Sequence, residues 1–76
     1  LAHDEPPAVA SELVTDTRVN RAVEAVEAAG NTVTTGEVQT RVFEMIVREE
    51  YVRLDQSGVD VETLRSAVGS VVAQRL

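Results

Sequence analysis

Three times along this chain a valine, a capping residue and a second apolar residue recur at one spacing: Val14-Thr15 with Val19, Val33-Thr34 with Val38, and Val59-Asp60 with Leu64. In each case the outer pair stands at the two ends of a hydrophobic staple. The Thr or Asp between them carries the side-chain oxygen that satisfies a free N–H of a first helical turn. A strand has no use for this device, because its apolar residues alternate at a period of two. The chain is thereby constrained to helices with defined starts.

The residues after each start follow the same logic. Val19, Ala22, Val23, Val26 and Ala29 recur at three- and four-residue steps in a helix that begins at Thr15 or Asp16, and Gly30-Asn31 stops it. Thr34 and Glu37 add a capping box to the second staple, and the pattern predicts a helix over 35–54. Along it, Glu37–Arg41, Glu44–Arg48 and Glu49–Arg53 form a ladder of i, i+4 pairs, each adding about 0.2–0.5 kcal/mol to an isolated helix. Val38, Val42, Phe43, Met45, Ile46, Val47 and Leu54 spread over more than half of its circumference, so this helix is expected to be covered from two sides. Asp55-Gln56-Ser57-Gly58 reads as a loop. A last helix over 61–75 turns Val61, Leu64, Val68, Val71 and Val72 inward. Near the start, Pro6-Pro7 suits only a first helical turn, and a short helix over about 7–14 puts Val9 and Leu13 on one face. No period-two run of useful length occurs. The expected class is all-α: a compact three- or four-helix bundle, of which a helix-turn-helix-like trihelical core without a wing is one form, with a polar tail at 1–6 and a single helical domain at 7–76.

Size and composition limit what such a bundle can bury. A chain of 76 residues covers only roughly 60% of its unfolded surface. Its apolar set is fifteen Val and nine Ala against five Leu, one Phe and no Trp. Small side chains remove less area from water, at about 25 cal/mol per Å², and so thin a core is expected to draw stability from an interface. All seven basic residues are Arg, Asp and Glu number thirteen, and the net charge is −6. That balance suits a GC-rich genome, is compatible with a salt-adapted protein, and lacks the cationic excess that seeks phosphate. Without Cys there is no disulfide framework, thiolate chemistry or zinc finger. No apolar run approaches the ~20 residues of a membrane span and no leader layout is visible, which makes the cytoplasm the default expectation. The first residue is Leu1 rather than Met, as in a processed or excised product.

Catalysis finds little material. General acid–base or nucleophilic work needs titratable groups converging in a cleft, yet the sole His is His3, in the tail. Glu49-Glu50 is a carboxylate pair whose members point about 100° apart on a helix, with Arg53 in reach of Glu49; a solvated charged face accounts for it. Asp55, Ser57 and Asp60 lack both the residue count and the terminal bidentate Glu of a calcium loop. Leu1-Ala2-His3 would offer Cu(II) or Ni(II) a square-planar nitrogen set only if Leu1 were a free native terminus. No catalytic residue, cofactor or metal is therefore expected.

The segment AVEAAGNTVTTGEVQTRV, within residues 22–54, resembles the start of winged-helix and helix-turn-helix domains of archaeal and bacterial DNA-binding regulators. That resemblance implies a transcriptional regulator whose reading helix is 61–75. Residues 33–51 are also similar, through Val38, Gln39, Val42, Ile46 and Tyr51, to the last helix of ATP-cone domains, which implies nucleotide binding. The basic, glycine-containing strand region of that family is absent. Base edges are read mainly by Arg, Lys, Asn and Gln, but the outward face of 61–75 is Glu62, Ser66, Gly69, Ser70 and Ala73. Small residues in a ridge let another helix approach closely, either the first helix of the same bundle or a helix of another molecule. The leading expectation is a non-enzymatic protein–protein interaction or assembly module, a homo-oligomer or a small subunit of a larger complex. Its contact residues would be Phe43, Val47, Tyr51, Leu54, Ser66, Gly69, Ser70 and Ala73; the DNA-binding regulator is the alternative.

Overall fold

A computed structural model describes residues 8–76. Five helices follow one another: α1 (Ala8–Leu13), α2 (Asp16–Ala28), α3 (Thr35–Glu49), α4 (Tyr51–Ser57) and α5 (Val61–Arg75), with no strand among the described residues. The protein is all-α. The polar tail, with His3 and the Leu1-Ala2-His3 set, lies outside the described residues.

The three starts form as their chemistry dictates. The Thr15, Thr34 and Asp60 side chains accept from the backbone N–H groups of Arg18, Glu37 and Thr63. Each staple joins the core, with Val14, Val19, Val38 and Leu64 buried and Val33 and Val59 packed against them. Two glycines close helices. At Gly30 (φ 78°) the Gly30 N–H reaches the Glu27 carbonyl and the Asn31 N–H reaches that of Val26. At Gly58 (φ 69°) the Gly58 and Val59 N–H groups reach Asp55 and Leu54 in the same way. Both are Schellman closures, in a backbone conformation that penalises any Cβ.

α3 is the central element, packed on one side by α2 and on another by α5, as its broad apolar surface requires. Val38, Val42 and Ile46 of α3 meet Val19, Ala22, Leu64, Val68 and Val72 in one continuous core that also takes Leu13 from α1. The core is mostly Val, and no polar side chain is buried in it.

Several expectations need correction. The helix predicted over 35–54 is two helices, because the backbone turns at Glu50 (φ −119°, ψ 25°), and the presumed loop at Asp55 to Ser57 is the end of α4. Neither Pro nor Gly stands at the bend, and hydrogen bonding continues through it: Glu50 N–H reaches the Ile46 carbonyl at 2.8 Å, and the Glu50 carbonyl accepts from Leu54 at 2.9 Å. What acts on Glu50 is a side chain of α2, described below. None of the three i, i+4 pairs closes among the described residues, whose ion pairs instead join different helices. Exposed pairs on one helix gain little and order two long side chains. Val61, expected inward, is 55% exposed. As the first residue of α5, it stands ahead of the turn that packs on α3.

Candidate interaction surface

The bend at Glu50 is clasped by Arg18. This guanidinium, only 13% exposed, donates to Glu50 Oε2 at 2.8 Å, to Glu49 Oε1 at 3.2 Å and to the Leu13 carbonyl at 2.9 Å. One cation thus ties the end of α1, the start of α2 and the α3–α4 joint. Arg21 adds a longer contact to Glu49 at 3.4 Å. Glu49 stays exposed, as a charged face requires, but Glu50 is half-buried, and the partners of Glu49 are Arg18 and Arg21 instead of Arg53. The planar fork of donors on Arg suits two carboxylates and a carbonyl at once. Nothing in the local pattern signals this, since Arg18 and Glu50 are 32 positions apart.

With the chain turned at Glu50, α4 opens a trough against the start of α5. Val47, Tyr51, Leu54, Val59, Val61 and Leu64 line it, Asp55 and Asp60 stand with them, and its volume is about 200 Å³. Tyr51 is 67% exposed and Val47 38%. Drug-sized ligands occupy pockets of about 300–1,000 Å³, so this space admits side chains of another protein more readily than a small molecule. Thr63 holds the Asp60 carboxyl below the usual carboxylate range, first through its side chain and then through its backbone N–H, so Asp60 is charged at the edge of the trough.

The expected contact residues divide between this trough and other surfaces. Val47, Tyr51 and Leu54 meet in it. Phe43, one turn before Val47 on α3, is half-buried beneath the Arg65 guanidinium 5.1 Å from its ring centroid, a cation–π contact. There Gln39, Thr40, Phe43, Glu44, Arg65 and Val68 line a second groove of about 340 Å³. Ser66, Ser70 and Ala73 are exposed, so the ridge is not spent on the first helix; Gly69 is half-buried beneath Gln39, whose Nε2 donates to the Gly69 carbonyl at 3.4 Å. Of the apolar set spread around the central helix, Ile46 is fully buried and Met45 packs against the core. Val61 was missed because it reads as part of the inward stripe. Val52, 63% exposed, was missed because it belongs to no helical stripe.

Four arginines are engaged within the fold: Arg18 and Arg21 on Glu49, Arg75 on Asp16, and Arg65 on Phe43. No group of three or more His, Cys, Asp or Glu side chains suited to a metal occurs among the described residues, and no described helix is long and apolar enough to cross a membrane. Comparison with protein families, curated proteins and solved structures finds no match.

Proposed function

We propose that this chain is a non-enzymatic interaction module that docks another protein in the trough between α4 and the start of α5. The observation that carries this is the apolar surface of Val47, Tyr51 and Val61, left open to water beside a core too thin to take them in. Apolar area left wet forgoes about 25 cal/mol per Å², and contiguous patches mark contacts more often than scattered residues do. Seven arginines against thirteen carboxylates, with Arg18 largely covered in its clasp, leave little cationic excess for phosphate, which argues for protein over nucleic acid.

Serine substitution tests it. Tyr51→Ser and Val61→Ser should each change the stability of the isolated chain by no more than about 0.5 kcal/mol, the ordinary surface range. A loss of about 2–5 kcal/mol, as for truncation in a core, would mean that the trough is interior and not a docking surface. Titration with duplex DNA is the companion experiment. Weak binding with a shallow salt dependence is expected, and nanomolar affinity at physiological salt would put the DNA-binding regulator in its place.

A further inference from the structure

The trough is apolar along its floor and anionic at its edge, which restricts what can lie in it. Its lining comprises six apolar residues and two aspartates, with no cation. Asp55 and Asp60 are exposed, and Glu62 follows in the first turn of α5. The end of the α5 dipole contributes about +0.5 charge there, too little to offset three carboxylates. Arg48 and Arg53 line a separate surface with Val52, reached across Tyr51. From this arrangement, and resting on the docking function proposed above, we infer that the occupant is a basic amphipathic helix of another protein. Apolar residues at i, i+3, i+4 and i+7 would enter the trough, and Lys or Arg beside them would face Asp55 and Asp60.

A second copy of this chain fits less well. A two-fold contact through the trough would bring each Asp55 and Asp60 toward its counterpart, on partners that each carry −6. The described helices also offer no apolar stripe flanked by cations alone: Glu37, Arg41, Glu44 and Arg48 alternate along α3, and the exposed small face of α5 begins with Glu62. Charge complementarity therefore favours a foreign partner, with the larger effect on association rate and specificity.

The probes are two synthetic helices with the same leucine stripe, one flanked by lysine and arginine, the other by glutamate, titrated onto the whole chain by calorimetry. The basic peptide should bind, the acidic one should not, and raised salt should weaken the complex. D55N and D60N should each weaken it by about two- to fivefold, the scale of one edge charge pair. Asn is as good a helix cap as Asp, so D60N keeps the start of α5, and thermal melts confirm that both variants fold. Y51S should abolish binding. Equal binding of both peptides, or full affinity in the D55N/D60N double variant, would overturn the basic-partner inference while leaving the docking function intact. Neither peptide binding, while the chain dimerises in a Tyr51-dependent way, would overturn it in favour of a second copy. If neither binds and the chain stays monomeric, the inference fails; the docking function fails with it only if the serine variants show core-sized losses.

Discussion

Gly30 and Glu50 both end a helix, and they do so by different means. At Gly30 the whole device lies within residues 26–31: a positive φ that glycine adopts without strain, and two hydrogen bonds back to the last turn. At Glu50 the neighbouring residues are ordinary helix formers and the local hydrogen bonds continue. The bend is held from outside, by an Arg18 guanidinium delivered from α2. The first joint is self-sufficient, whereas the second is only as firm as the packing that presents Arg18. The trough depends on the second, because Tyr51 and Leu54 lie beyond it on α4.

Removing the clasp should break this contrast most severely. Arg18→Ala deletes charge-assisted hydrogen bonds to Glu49 and Glu50 and the bond to the Leu13 carbonyl, and such bonds contribute about 1.5–3 kcal/mol. A loss of that size is expected in urea melts. The backbone should respond as well: with no partner to hold it, Glu50 is expected to adopt helical angles, joining α3 and α4 into one helix and flattening the trough. NMR backbone shifts at residues 49–52 read this directly. If Glu50 keeps its bent conformation in R18A, then the packing of Leu54 against the core, and not the clasp, holds the joint.

The local joint should give a smaller and more confined effect. Gly30→Ala forces a Cβ into left-handed backbone, which costs about 1–2 kcal/mol. No atom lies within 4 Å of that Cβ, so the cost is conformational and not a clash. The shifts at residues 49–52 should be unchanged. Movement of Glu50 in G30A would show that the two joints are coupled through α2 after all.

A third glycine sharpens the comparison by reversing the sign. Gly36 lies in the first turn of α3, has no positive φ, and has open space where a Cβ would sit. Gly36→Ala should therefore stabilise the chain by about 0.4–1 kcal/mol, by restricting the unfolded state. Equal losses in G30A and G36A would remove the distinction between a glycine required by its turn and one merely tolerated by a helix.

The same division explains what could be read from the sequence. The starts at Thr15, Thr34 and Asp60 and the stop at Gly30 depend on residues within one or two turns, and all four are found where the pattern put them. The bend at Glu50 depends on a partner 32 positions away, so the local pattern ran one helix through it and assigned the end of α4 to a loop. The trough proposed as a docking surface was half legible for the same reason. Val47 and Leu54 follow from helical periodicity, but their meeting with Tyr51 and Val61 requires the turn at Glu50, where Arg18 binds. The i, i+4 ladder erred in the opposite direction, since a permissive spacing between exposed side chains is no guarantee that they pair.

Acid offers the gentlest probe, because comparison with one substituted chain isolates a single capping carboxylate. Hydrogen bonds from the Thr63 side chain and backbone N–H hold the Asp60 carboxyl below the usual carboxylate range, so folding favours its ionised form. The linkage has a definite sign. Asp60 contributes stability that is fully present above its unfolded value, about pH 3.9, and is lost as pH falls through the lower folded value. Because Asn caps nearly as well as Asp but does not titrate, D60N should melt close to the parent at neutral pH and lose less stability below the carboxylate range. The difference between the two chains isolates Asp60, since the other carboxylates are common to both. Identical acid profiles would mean that the cap at α5 is indifferent to its charge. The basic peptide supplies an independent reading of the same proton: protonating Asp60 removes one of the charges at the edge of the trough, so affinity should fall in that window in the parent and be flatter in D60N.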